Sequence, residues 1–497
     1  MKIAGLVLSE ILISIIDSKL KQMKKLSHAL LMFAVLLSFT GLSQESWPRF
    51  RGNLEQTGYT GNSGPVFAYP DWDYSSNSMS IVSSPAVMDN KIFFGSLDST
   101  FNCLDAGSGE LIWSYKTNGP IYYSSPALSG GKVYFGSWDG YFYCLDAASG
   151  DSLWSFNTGS ASGFNSCPAI VDGKVYFGSN NTYIYCLDAV DGTEIWSYKT
   201  GMAVWCSPAV VNGRLYIGSF DSKMRCLDAM TGDSIWATPV SPMVYSSPAV
   251  DGERLYFGSI LGAVAYCLNT SDGSIIWQRS LNGAIFSSPA VHNGRMFIGV
   301  DQVALGGGRM FCLDAMTGDS LWSIFHDYGG SIYASPAVSD SLLYYASLNF
   351  HAYCVKQSTG EIVWDWPFND QILSSPAIAN ESMYFGTKDG HLICIKDFTT
   401  GQAEAGITPE WPRIYPNPSN NMVHIDFTLK TRSAVQIEVH DIQGRLVNRL
   451  ANTEYPAGKF TISWNACNEA GQKVAPGIYF CRVMANGTTR TSKIIIK

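Results

Sequence analysis

Apolar residues in this chain fall in short runs separated by tight-turn dipeptides, and residues 122–156 show the pattern. Tyr122-Tyr123-Ser124-Ser125-Pro126-Ala127-Leu128 gives way to Gly130-Gly131, then to Lys132-Val133-Tyr134-Phe135-Gly136-Ser137. Asp139-Gly140 is a strong hairpin signal because both residues accept a turn backbone. It leads into Tyr141-Phe142-Tyr143-Cys144-Leu145-Asp146, and Ser149-Gly150 turns again into Ser152-Leu153-Trp154-Ser155-Phe156. The pattern predicts four short antiparallel strands. Connections this short leave no room for a crossover helix, which excludes a parallel α/β solenoid.

The unit recurs with a period of about forty residues, the length of a propeller blade. Its Ser-Pro-Ala or Cys-Pro-Ala proline stands at Pro85, Pro126, Pro168, Pro208, Pro248, Pro289, Pro336 and Pro376. A tryptophan recurs at Trp72, Trp113, Trp154, Trp196, Trp236, Trp277, Trp322 and Trp364. These series predict an all-β chain whose main part, residues 44–400, is an eight-bladed β-propeller. The last unit runs past Ile393-Cys394 into Thr399-Thr400-Gly401 with no tryptophan, whereas Trp72 precedes the first Ser-Pro-Ala. Residues near Asp71-Trp72-Asp73 are therefore expected to form the fourth strand of the last blade, closing the ring and removing open sheet edges.

Asp105-Ala106-x-x-Gly109-Glu110-x-x-Trp113 and its copies resemble the tryptophan-docking motif of pyrroloquinoline-quinone-type (PQQ-like) propellers, and Trp47-Pro48-Arg49-Phe50-Arg51-Gly52-Asn53 resembles the opening segment of that family. The resemblance spans about residues 47–400. It implies that the eight tryptophans pack between neighbouring blades as structural residues.

After a Gly/Ala/Pro linker at 401–412, the repeat stops. Val423, Ile425, Phe427 and Leu429 alternate with polar residues, as do Val435, Ile437 and Val439. Asp441-Ile442-Gln443-Gly444-Arg445 reads as a hairpin turn, and Pro476-Gly477 precedes Ile478-Tyr479-Phe480. Residues 413–497 are expected to form a small Ig-like β-sandwich of about seven strands. Tyr415-Pro416-Asn417-Pro418, Gly444-Arg445, Gly477-Ile478-Tyr479 and the terminal Lys493-Ile494-Ile495-Ile496-Lys497 resemble a type IX (Por) secretion sorting domain. That resemblance implies passage across an outer membrane, with removal of the domain and release or surface attachment.

The opposite end reads as a signal peptide, residues 1–43, whose true start is Met23. Met23-Lys24-Lys25 is basic, Ala29 to Phe39 is apolar, and Gly41-Leu42-Ser43 offers small residues for cleavage. The apolar run is too short for a comfortable membrane span, so no stable span is expected in the mature form. The chain is expected to pass through the periplasm to the medium or cell surface. The architecture is similar to that of the propeller lipoprotein of the outer-membrane β-barrel assembly machinery, but no cysteine follows the apolar run to carry a lipid.

Composition narrows the function classes. The chain has a net charge of −8 and no basic tract, which argues against a nucleic-acid partner. Of the 12 cysteines, Cys103, Cys144, Cys186, Cys226, Cys267, Cys312, Cys354 and Cys394 share one repeat slot and read as small buried hydrophobes on separate sheets. Cys167 and Cys206 replace serines before the proline. Cys467 and Cys481 are spaced as a disulfide could be, and the sequence leaves that pairing open.

No catalytic or metal-ligating residue is assigned. His292, His326, His351 and His391 form no pair of metal-ligand spacing, and His351 and His391 share a slot on the strand surface. Asp98, Asp139, Asp221 and Asp389 fall in hairpin turns, where aspartate is expected. Two features are candidates for binding. The slot three residues before each proline holds Val82, Tyr123, Asn165, Trp205, Tyr245, Phe286, Tyr333 and Leu373. Its five aromatic residues are expected near one mouth of the central channel, where they either stack on a sugar or extended chain or pack between blades. The second is the insertion Val303-Ala304-Leu305-Gly306-Gly307-Gly308-Arg309, expected to be a flexible loop on the same face that presents Arg309.

The expected function is a secreted or cell-surface binding scaffold, non-catalytic and free of cofactors, that engages a protein or polysaccharide through one propeller face and the type IX secretion machinery through its tail. The alternatives are a quinone-dependent oxidoreductase holding PQQ and calcium, and a polysaccharide-active enzyme with a carboxylate pair facing the channel. The family resemblance implies a vicinal cysteine pair for quinone chemistry, and no two cysteines here are adjacent.

Overall fold

The computed structural model describes residues 46–397, except 67, 77–78, 160–161, 303–304 and 328, and residues 413–497, except 416–418, 420–421, 430–431, 442–444 and 486–487. The signal segment 1–43, the linker 401–412, the turn at 442–444 and Val303-Ala304 lie outside the described residues. The chain divides into two compact units, 1–398 and 399–497.

The first unit is an eight-bladed propeller of four-stranded antiparallel sheets. Blade 2 is typical, with strands Ala127–Ser129, Lys132–Gly136, Tyr141–Asp146 and Ser152–Asn157 from the axis outward. The second and third strands are buried on both faces, because each blade is sandwiched between two others, while the outermost strand alternates exposed and half-buried positions. Blades meet through aromatic ladders: Phe101 stacks on Phe135 and Phe142 on Phe177, each pair with centroids 4.0 Å apart.

Strand Ala68–Ser75 completes the eighth blade, pairing antiparallel with His391–Asp397 so that Trp72 faces Cys394. This is the Trp–Cys pairing of every other blade, as with Trp154 and Cys144. The ring is thus closed by non-covalent pairing of the two ends of the unit.

Each repeat tryptophan reaches across to the next blade. Its Nε1 donates to a backbone carbonyl at 2.8–3.4 Å: Trp72 to Ala106, Trp113 to Ala147, Trp154 to Ala189, Trp196 to Ala229, Trp236 to Thr270, Trp277 to Ala315, Trp322 to Gln357 and Trp364 to Pro65. The glycine of the docking motif makes room for the indole. A Cβ on Gly109, whose φ is +73°, would lie 2.6 Å from Trp72.

A second ring of bonds runs around the axis. The backbone N–H before each repeat proline donates to the side chain at the same position one blade on, in the order Ser84, Ser125, Cys167, Ser207, Ser247, Ser288, Ser335, Ser375 and back to Ser84, at 2.8–3.2 Å. The small hydroxyl or thiol is what the slot requires: it satisfies a buried N–H that no sheet ladder reaches.

The second unit packs a three-stranded sheet (Arg413–Tyr415, Val423–Leu429, Gly458–Trp464) against a four-stranded one in the order Leu446–Tyr455, Ser433–Asp441, Gly477–Ala485, Thr488–Ile496. The alternating residues Val423, Ile425, Phe427, Val435, Ile437 and Val439 share one core with Trp464 and Cys481. None of the cysteines is in a disulfide. Cys481 points into this core, and burial pushes its thiol up to about 12. Cys467 lies in a turn bridged to Lys473, so the spacing that left a pairing open in the sequence does not bring the two sulfurs together.

Candidate functional site

The inner strand of every blade runs from one mouth of the central channel to the other, and the two mouths are closed differently. At the far mouth, residues 47–60 sweep around the axis. Their backbone bonds Val87, Leu128, Val210, Val250, Val291 and Val338, one per blade, and Arg49 reaches the Ile170 carbonyl of blade 3. Arg51 lies fully buried in the middle, donating to the carbonyls of Pro289 and Pro336, while Gln56 donates to that of Pro208. Burial draws the Arg51 guanidinium down to about 9.

The near mouth holds the aromatic slot. Tyr123, Trp205, Tyr245, Phe286 and Tyr333 are each half-buried, and their rings pack on one another from blade to blade around the mouth. Trp205 lies 5.6 Å from Tyr245, Tyr245 5.5 Å from Phe286, and Phe286 4.5 Å from Tyr333. Tyr123 of blade 2 meets Tyr245 of blade 5 edge-on at 6.4 Å, a contact that crosses the axis. The cluster therefore reaches across this end of the channel. Desolvation raises the phenols of Tyr123 and Tyr245, and burial together with a hydrogen bond to Asp301 pushes Tyr333 up to about 12. At neutral pH all three are neutral hydrogen-bonding rings.

The insertion is not the flexible loop its three glycines predict. It lengthens both flanking strands, to Arg295–Gln302 and Gly307–Asp314, in register up to Gln302 and Gly307. The glycines serve close approach: a Cβ on Gly308 would stand 2.4 Å from the Gly330 carbonyl oxygen and 2.6 Å from the Ser331 Cα. Gly308→Ala is expected to cost about 1–3 kcal/mol by forcing backbone apart, measured as a lower denaturation midpoint. Arg309 does not join the five aromatic residues. It bonds Gln302 and Ser323 and lies over the rings of Phe311 and Phe325.

No repeat or motif marks Asp301, which the lengthened hairpin carries to the cluster. It is the one buried carboxylate among the described residues of the propeller. It accepts bonds from Ser331 Oγ (2.7 Å) and Tyr333 OH (2.9 Å). The other singled-out polar residues serve local structure. Asp98 and Asp139 cap their own turns, and Asp221 pairs with Arg225. His351 and His391 each face an aspartate on the outermost strand, Asp365 and Asp73, and His292 stacks on Tyr59 at 3.8 Å.

A quinone with calcium would need a planar slot on the axis and carboxylate or amide oxygens turned toward it. The five rings occupy the axis at the near mouth, and Arg51 and residues 47–60 occupy the far one. Asp301 has both oxygens engaged, and among the described residues no three His, Cys, Asp or Glu side chains cluster. These residues do not fit that group.

The fold and its two closed mouths define a tryptophan-docked eight-bladed propeller followed by a β-sandwich tail. Residues 71–260, 221–335 and 306–404 match the family described as outer membrane protein assembly factor BamB, and the chain belongs to that family. Residues 413–497 match the secretion system C-terminal sorting domain, which marks the chain for type IX export to the cell surface or medium. Among solved structures, BamB from Moraxella catarrhalis is similar at 18% identity, covering 66% of this chain and 99% of that one with a TM-score of 0.57. Quinohemoprotein alcohol dehydrogenase from Comamonas testosteroni is similar at 15% identity, covering 78% and 85% with a TM-score of 0.61. The computationally designed Ika8 protein is similar at 15% identity, covering 64% and 96% with a TM-score of 0.56. No curated protein matches the chain.

Proposed function

We propose that this protein is an exported, non-catalytic binding scaffold that engages a protein or polysaccharide through the near mouth of its propeller. The observation that carries this reading is the half-buried aromatic cluster at that mouth, set on a ring whose other mouth is plugged from within the chain. Aromatic side chains fixed by their neighbours give large contact area at little entropic cost, the property of binding hot spots. The similar folds include an assembly factor, a dehydrogenase and a designed chain, so the fold alone does not choose a chemistry. The misfit of the axis residues to a quinone favours binding.

The test is capture from outer-membrane and surface-polysaccharide fractions of the host, with the exported protein and its Trp205→Ala variant. Trp205→Ala is expected to weaken capture by about 2 kcal/mol, or roughly thirtyfold, while leaving thermal unfolding within a few degrees. Native mass spectrometry of the exported protein is expected to show polypeptide mass alone. Added mass of a quinone and calcium, or capture that ignores Trp205, would overturn the reading.

A further inference from the structure

Beside the aromatic mouth, Trp138 stands in the turn between the second and third strands of blade 2 with 40% of its surface exposed. Its indole is held by its neighbours. Its Nε1 donates to Asn165 Oδ1 at 3.0 Å, and the buried Asn165 in turn donates from Nδ2 to Asn180 Oδ1 at 3.2 Å. The Tyr122 ring packs against the indole at 5.2 Å, joining it to Tyr123 and the cluster on the axis. Gly163 lies against it so closely that a Cβ there would come within 2.9 Å.

The Asn165–Asn180 bond leads directly to a shallow groove of about 730 Å³ on blade 3, lined in part by Asn180, Asn181, Tyr183, Glu194 and Ser197. The lining is amide, hydroxyl and phenol. Its one charged lining residue is the carboxylate Glu194, and no lysine or arginine lines it. The strip thus combines an oriented aromatic platform and a row of neutral donors and acceptors with a single carboxylate.

Resting on the binding-scaffold reading, we infer that the strip from Trp138 to the blade 3 groove is a subsite for a neutral polysaccharide. A pyranose offers a face of C–H groups that stacks on an indole and a rim of hydroxyls that both donate and accept. Asn180, Asn181, Ser197 and Glu194 supply the matching partners. An apolar peptide would find too little enclosed apolar surface here, and a polyanion would find no excess of positive charge.

The experiment is calorimetric titration of the exported protein with neutral hexasaccharides of glucose, xylose and mannose and with an oligouronate. Binding of a neutral hexasaccharide is expected, with affinity reduced tenfold or more by Trp138→Ala and by Asn180→Ala, and largely kept by Trp138→Phe. The oligouronate is expected to bind at least tenfold more weakly. Failure of every neutral hexasaccharide, or equal affinity in Trp138→Ala, overturns the inference. Capture of a protein that depends on Trp205 but not on Trp138, without sugar binding, overturns it while leaving the scaffold reading in place.

Discussion

Arg51→Ala is expected to lower the stability of the propeller by about 4 kcal/mol. The Arg51 side chain is fully buried, and its guanidinium satisfies the carbonyls of Pro289 and Pro336 on the inner strands of blades 6 and 7. Those carbonyls face the axis, where neither sheet ladder nor solvent can serve them. Truncation strands both acceptors, at about 1–3 kcal/mol each, and leaves a void on the axis. It also loosens residues 47–60, which tie blades 1 to 7 together independently of the closing strand. Equilibrium unfolding of the full chain in guanidinium chloride measures the loss. The control is Arg432→Ala in the C-terminal unit, which removes an exposed ion pair with Glu454 and is expected to leave the midpoint in place. An Arg51→Ala midpoint equal to that control would show that the plug does not stabilise the ring.

Acid is expected to destabilise the propeller through His326, by up to about 3 kcal/mol between pH 6.5 and pH 4. The ring, on the outermost strand of blade 6, is buried against blade 7, with Nε2 3.0 Å from the Tyr345 hydroxyl and its centroid 4.4 Å from that of Tyr353. Desolvation, then repulsion from His351, lowers its pKa to about 4, against weaker opposing pulls from Asp327 and Asp365. An unfolded histidine titrates near 6.5. Between the two values the unfolded chain takes up a proton that the folded chain refuses. Stability is therefore fully present above pH 6.5, falls as the pH drops toward 4, and loses nothing more from this group below it. His326→Phe keeps an aromatic ring beside Tyr353 and removes the titration. The difference between wild-type and variant unfolding free energies, followed from pH 7.5 to pH 4, is expected to slope across this window. A parallel pair of curves would assign the acid sensitivity elsewhere.

The blades were legible because their defining contacts repeat. Turn dipeptides, buried strand runs, the Cys–Trp pairing and the Asp-Ala-x-x-Gly docking motif all act within one repeat or between adjacent repeats, so each leaves a mark every forty residues or so. The same counting placed Trp72 in the last blade. Alternating apolar positions likewise showed both sheets of the C-terminal sandwich, and its sorting motifs were local strings.

What the sequence determined by itself was therefore the periodic part: eight blades, the strand that closes them, the inter-blade tryptophans and the sorting tail. The axis was decided only by tertiary structure. Arg51 and residues 47–60 act on blades far away in sequence, Asp301 bonds the start of the following blade, and each occurs once, so no period betrays them. The aromatic slot was visible, but that Tyr123 meets Tyr245 across three blades depends on how narrow a ring of eight inner strands is, which no single repeat encodes. Gly308 is the same lesson in small: glycine permits both flexibility and close approach, and only the Gly330 carbonyl standing against it shows which one the chain uses.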